Sequence, residues 1–330
     1  MATNSGRALA RRGLIFVVLA GMLWGTSGVA TKAIYALADI SAMSVAAFRL
    51  ALGAPLLLLA YRWSVAPRAA SLRQGLAAPQ DGAPRRPARR SDLALLVLAG
   101  AALGLSQAWY FAAISTVGVT IATLVTICTI PVLVCLLAAA LLGERLTAAV
   151  GGALACALAG TALMVGAGQG AGAAPLLGSP AWGGIGLALA SAASFAAFML
   201  LSRRVANHYH PLGSITLAVA AGAALLLLIT AFTTGLRVAY PWQVWALFLY
   251  LGLMPTALAY GLFYHGIQYA TASEASIATL AEPLTSTILA LGLFGERLGP
   301  QGWLGAALLI GVMALLLRRP GTSGRDSTPA

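Results

Sequence analysis

The sequence predicts an all-α membrane protein, ten transmembrane helices disposed as two inverted five-helix repeats. Three observations carry that expectation. Ten apolar stretches run almost end to end through the 330 residues, each close to the roughly 20 residues that a helix needs to cross a hydrocarbon core. Hydrophobic residues make up 60% of the chain and charged residues 8%, against about 25% charged in a soluble domain. Finally, a Gly-Glu-Arg-Leu motif occurs twice at an offset of 152 residues, each time after a proline.

The elements follow in order. Residues 1–13 carry Arg7, Arg11 and Arg12 before an apolar run. A cleaved signal peptide would need a small-residue cleavage pattern, and the run instead continues through Trp24-Gly25-Thr26. The first span is therefore Leu14–Thr31 and the second Ser44–Trp63. Residues 64–91 hold Pro67, Pro79, Pro84 and Pro87 among arginines and read as a flexible loop. Leu93–Ile114, Val119–Leu142 and Ala148–Val165 complete a first half over 14–165. A Gly/Ala-rich linker, 166–180, resembles a phosphate-cradling loop superficially, but no strand precedes it. Ala181–Leu201, Leu212–Phe232, Val244–Ile267, Ser273–Phe294 and Pro300–Leu317 form a second half over 181–318, followed by a tail, 319–330.

The repeat sets the orientation of the halves. Leu142-Gly143-Glu144-Arg145-Leu146 ends the fourth span and Phe294-Gly295-Glu296-Arg297-Leu298 the ninth, and Pro131 falls on Pro283 at the same offset. Trp24-x7-Lys32 echoes Phe195-x7-Arg203. Five spans per half is an odd number, so the second half enters the membrane inverted. That architecture belongs to secondary transporters, with a site near the midplane between the repeats.

The net charge of +12 invites a nucleic-acid reading, which the distribution of the charges opposes. With the N-terminus inside, 16 arginines fall on inside segments. Only Lys32, Arg237 and Arg297 fall outside, and Arg49 lies within the second span. Such an excess is the positive-inside rule, so the expectation is a multi-pass protein of the cytoplasmic (inner) membrane with both termini cytoplasmic and no nucleic-acid partner. The three cysteines, Cys128, Cys135 and Cys156, fall in spans. Cys128 and Cys135 lie about 10 Å apart along one helix, too far for a disulfide. No metal or cofactor is implied.

Ionisable groups inside a membrane cost about 2.5–3.5 kcal/mol on insertion scales and are functional candidates by default. Glu274 and Glu282 lie within the ninth span. Either can hold a substrate amine or carry a coupling proton. Glu282 can instead satisfy a carbonyl freed by Pro283, and Glu274 can instead complement a helix start. Tyr260, Tyr264 and Gln268 recur every four residues on one face of the eighth span, with His265 beside them. They line a polar path or anchor an interface. Gln107 and Tyr110 lie one turn apart in the third span, and Thr120, Thr123, Thr126 and Thr129 recur in the fourth, where packing against backbone competes with ligand contact. Gly21 and Gly25, like Gly100 and Gly104, read as close helix approaches. Lys32 is placed at the outer end of the first helix as a gate or a snorkelling residue. Arg49 needs a buried partner, with Asp39, Glu282 or helix-end carbonyls as options.

Trp24-Gly25, Phe48-Arg49-Leu50, Glu282-Pro283 and the paired Gly-Glu-Arg-Leu segments in two five-helix halves resemble the drug/metabolite transporter superfamily, EamA type, over roughly residues 14 to 318. The resemblance implies carriage of amino acids, sugars, nucleobases, amines or drugs. The second half departs from the pattern at Phe195-Ala196 and at Ala218 to Ala220, where no arginine matches Arg49.

A protease reading rests on Gly25-Thr26-Ser27-Gly28, which recurs in the polar tail as Gly321-Thr322-Ser323-Gly324. Chance therefore produces the tetrapeptide readily, and no enzyme is expected. The expectation is a secondary transporter, working by alternating access, for small organic metabolites, most simply an exporter of amino acids or related amphipathic compounds. A drug or amine effluxer and a metabolite importer are the alternatives of the same fold, and a membrane scaffold is a remoter one. Trp24 and Tyr264 would stack on the solute, Gln107, Tyr110, Thr123 and His265 would contact it, and Glu274 or Glu282 would hold an amine or a proton.

Overall fold

The computed structural model describes residues 4–73, 90–144, 147–167, 179–206, 209–294 and 299–318. Among them every regular element is helical: α1 (Asn4–Leu37), α2 (Ala42–Arg73), α3 (Arg90–Leu142), α4 (Ala148–Ala167), α5 (Ser179–Val205), α6 (Pro211–Thr233), α7 (Trp242–Gly252), a π-helical stretch (Leu253–Leu258), α8 (Ala259–Gly266), α9 (Ala272–Ala278), α10 (Ala281–Phe294) and α11 (Pro300–Arg318). Among the described residues, nine segments are long and apolar enough to cross a membrane, and Ala148–Leu163 is a shorter apolar helix. Large apolar side chains such as Leu59, Leu136, Leu228, Ile288 and Ile310 stand exposed on the outside of the bundle. Lipid, not water, is the solvent such a surface suits.

Three boundaries differ from the sequence expectation. α1 begins at Asn4, ten residues before the apolar run, and the Arg12 guanidinium sits over the Phe16 ring at 5.6 Å. α2 continues to Arg73, past Pro67, so the loop expected from residue 64 starts later. Most of that loop, most of the 166–180 linker and the tail lie outside the described residues.

Helical backbone runs without interruption through α3, yet α3 is a hairpin. Tyr110 and Thr123 would stand about 20 Å apart along a straight helix. Their hydroxyls instead lie 2.6 Å apart. Both arms also meet neighbouring turns of α5, where Ser191 bonds Ser106 at 2.8 Å and Thr126 donates to the Ala188 carbonyl at 3.2 Å. The chain therefore reverses between Tyr110 and Thr123, where the third and fourth spans were expected to part.

Packing pairs helices from opposite ends of the sequence. α1 packs on α8 and α10, α5 on both arms of α3, α2 on α6, and α4 on α11. Glycines set the closest approaches. A Cβ at Gly25 would stand 2.5 Å from the Glu282 carbonyl oxygen, and one at Gly222 would stand 2.7 Å from that of Gly100. Gly53 meets Thr256 and Gly252 in the same way. The α2–α7 crossing and the α3–α6 crossing thus use glycine alike. Arg49 stands one turn before Gly53, and Ala218 one turn before Gly222.

Candidate functional site

The ninth span is broken. α9 ends at Ala278, two residues turn, and α10 starts at Ala281. Pro283 supplies the reason, since it has no N–H to give the carbonyl of Thr279 four residues back. The backbone N–H of Glu282 takes that carbonyl instead, at 3.0 Å, and Leu280 N–H bonds the Ile277 carbonyl at 3.1 Å. The carbonyl freed by the proline is therefore satisfied by backbone, and the Glu282 carboxyl is spared for something else. The charge that acts on it is the Arg49 guanidinium of α2. The field of Glu282 also reaches the phenols of Tyr110 and Tyr260. Irregular backbone beside an ionisable group at mid-span is the local architecture of a carrier's binding site.

Trp24 stands beside this break. Its neighbour Gly25 lies against the backbone of Glu282, and Ser286 donates to the Gly25 carbonyl at 3.1 Å. The indole packs on Tyr260, Phe263 and Phe195 with centroids at 5.1, 5.5 and 6.3 Å. Phe198 closes the group against Tyr260 at 5.9 Å. Trp24 is 6% exposed, and its Nε1–H is buried without a hydrogen-bond partner among the described residues. Arg49 Nε shares that condition. Burying a donor unpaired costs about 1–3 kcal/mol, so two such donors are unusual for a core.

On one side of this layer α1 is packed through Leu14, Val17 and Ala20. On the other, Ala30 and Ile34 stay buried while the opposite face is exposed. A Cβ at Gly28 would meet nothing within 4 Å, and Lys32 and Tyr35 are exposed. Past the end of α1, Asp39, Ser41, Ser44, Thr234, Arg237 and Tyr240 line a separate pocket of about 250 Å³.

The residues singled out from the sequence separate into two groups. The residue after Trp24 lies against the Glu282 backbone, Arg49 and Tyr110 are charged or polar groups in electrostatic range of Glu282, and Thr123 bonds the Tyr110 hydroxyl at 2.6 Å. Gln107 is half-buried one turn before Tyr110. Tyr264 is fully buried with its hydroxyl 2.6 Å from Ser202 Oγ, and His265 Nδ1 meets the Gly261 carbonyl at 2.9 Å. Glu274 completes a capping box with Thr271, whose hydroxyl donates to its Oε2 at 2.9 Å. These three spend polar groups on the protein itself. Lys32 is exposed in the last turns of α1.

Sequence reasoning missed Glu144, read only as half of a repeat marker. Gly143, at φ +68°, ends α3 in the left-handed region that glycine tolerates. Glu144 is thereby presented to α9, where it accepts from Ala272 N at 2.7 Å and from Ser273 N and Oγ at 3.2 and 2.8 Å. The motif is a cap for a helix of the other half. The second copy, at 295–298, lies outside the described residues.

A model of the EamA-like transporter family matches residues 11–166 and 182–318. The uncharacterized transporter YwfM of Bacillus subtilis is 30% identical over 308 residues, which cover 90% of each chain. The uncharacterized inner membrane transporter YicL of Salmonella typhimurium is 26% identical over 306 residues, 93% of this chain and 95% of its own. A solved crystal structure superposes at a TM-score of 0.71 with 23% identity, over 92% of this chain and 97% of that one.

Proposed function

Because the chain belongs to the EamA-like transporter family, we propose that it moves small organic metabolites across the cytoplasmic membrane by alternating access, and that its solutes are amino acids or related amphipathic compounds. Membership makes it a multi-pass membrane transporter. The observation that carries it is the broken ninth span, which sets Glu282 beside Trp24 and within the field of Arg49.

Two inverted halves would rock about that layer. The pairing of α1 with α8 and α10, matched by that of α5 with the two arms of α3, supports such a pseudo-two-fold. The excess of arginine on the segments read as inside supports cytoplasmic termini, and export is the proposed direction. Trp24 offers the solute a ring and an N–H, Tyr110 and Gln107 offer polar contacts, and Glu282 supplies the negative charge or carries a proton.

The test is counterflow in proteoliposomes with labelled amino acids, sugars, nucleobases and amines, with and without a pH gradient. Saturable flux confined to amino acids is the expected result. Flux confined to amines would install a drug or amine effluxer instead, and folded protein that moves nothing would overturn the transport reading.

A further inference from the structure

We propose that α9 is a movable plug, seated on α1 and latched to α3 by Glu144, and that release of the latch opens a water path between α9 and α3. The plug rests on the transport reading above and assigns the moving part which that reading needs.

α9 is seven residues long, and all seven are buried. It meets α1, α3, α4, α5 and α11. Two glycines of α1 fix its place along the bundle. A Cβ at Gly13 would stand 2.7 Å from the Gly266 carbonyl oxygen and 2.8 Å from Tyr269 Cβ, just before α9. One at Gly21 would stand 3.0 Å from the Thr279 carbonyl oxygen, just after it. Gly25, one turn further along, meets Glu282. α9 therefore fills the bundle between Glu282 and the end where α1 begins. Irregular backbone flanks it on both sides, at residues 267–271 and at Thr279-Leu280, so it has a hinge at each end.

Its side chains suit a surface that is dry in one state and wet in another. Ile277 is its one large apolar residue, and the rest are alanine, serine and glutamate. Most of its polar groups are satisfied locally. Ser276 donates to the Ser273 carbonyl at 2.8 Å, Thr279 to that of Ser276 at 2.7 Å, and Glu274 accepts from Thr271 at 2.9 Å. None of these bonds breaks when α9 parts from α3, and water can hydrate the surface so uncovered. Leucine and isoleucine would pack a permanent core as well and could not be wetted at so small a cost.

Glu144 is what crosses. From the end of α3 it accepts from Ala272 N–H at 2.7 Å and from the Ser273 N–H and hydroxyl at 3.2 and 2.8 Å. Those three bonds join the first half of the chain to the second, so any rocking of the halves has to break them. The Cys135 thiol of α3 is 2% exposed, with the Ser273 and Ser276 hydroxyls beside it. It lies on the face that the plug closes and reports when that face opens.

The test is alkylation of Cys135 by a charged maleimide in detergent, read by peptide mass spectrometry. Glu144→Gln is expected to raise the rate about tenfold, the scale of one hydrogen bond to a charged group. Tyr264→Phe, which loses a buried hydroxyl bond elsewhere, should leave it at the wild-type value. Ser276→Cys sets a second thiol beside Cys135; oxidation should join the two and stop amino-acid flux in proteoliposomes until a reductant is added. An unchanged rate in Glu144→Gln, or equal acceleration in Tyr264→Phe, would overturn the plug. So would failure of the thiol pair to cross-link, or full flux through the oxidised Ser276→Cys variant. Alkylation needs no solute, so a folded wild type that moves nothing would overturn the transport reading while the Cys135 rates still decided the plug.

Discussion

Glu144 and Ser273 are joined twice: one carboxylate oxygen accepts the Ser273 backbone N–H at 3.2 Å and its hydroxyl at 2.8 Å. The other oxygen takes Ala272 N–H. A residue that ends the last turn of α3 thereby starts α9. Glu144→Ala leaves two helix N–H groups without their acceptor and is expected to destabilise the protein by about 1–3 kcal/mol. Glu144→Gln, which keeps one acceptor oxygen, should cost less. Thermal unfolding in detergent gives both values, and an unchanged midpoint for Glu144→Ala would rule out the cap.

Gly25 and Gly28 lie three residues apart on α1 with opposite surroundings. A methyl at Gly25 meets the Glu282 carbonyl oxygen at 2.5 Å and Thr285 Cβ at 2.7 Å, and one at Gly28 meets nothing. Gly25→Ala is expected to lose about 1–3 kcal/mol through overpacking, with loss of transport as α1 is forced off α10. Gly28→Ala should be neutral to slightly stabilising, since alanine favours helix. Equal effects at the two positions would contradict the α1–α10 packing.

Trp24→Phe removes an N–H that pairs with no described residue and keeps a ring against Tyr260. Stability should fall little, while solute affinity drops several-fold as one hydrogen bond is lost. Isothermal titration beside thermal unfolding separates the two. A fall in stability without a change in affinity would place the indole in the core.

Tyr264→Phe should behave in the opposite way. Its hydroxyl is spent on Ser202 in a fully buried place, so the substitution is expected to cost about 1 kcal/mol of stability and leave affinity alone. A double-mutant cycle with Ser202→Ala should return most of that energy as coupling. Loss of affinity at unchanged stability would bring Tyr264 back into the solute site.

Much of the fold was legible because lipid permits few solutions. Spans follow from apolar length alone, but the ninth read as one helix, Ser273–Phe294, whereas α9 and α10 part at Thr279-Leu280 just ahead of Pro283. Glycine contacts at Gly25 and Gly100 were readable from spacing. The partners of polar groups were not. Whether Glu282 answers the carbonyl freed by Pro283 depends on whether its own N–H reaches Thr279, which is a matter of a fraction of an ångström. Glu274 could be read both as a coupling group and as a cap, because a carboxylate three residues after Thr271 serves either. Tyr264 shared a helical face with Tyr260, yet Ser202 of another helix decided its environment. Glu144 left no local trace of its role, since its partner lies 128 residues away. The π-helical turn at Leu253–Leu258 had no signal beyond Pro255.

The exchange of helices between the halves also imposes a timetable on biogenesis. Trp24 meets Tyr260 and Phe263 only after the chain has been made through the eighth span, and the seven-residue α9 is too short to persist alone. At about 5–20 residues per second, α1 waits on the order of tens of seconds in the membrane with its glycine face uncovered. Neither half is then a folding unit in its own right. Assembly is a single late event, and the insertion machinery or surrounding lipid must shelter the first five helices until their counterparts arrive.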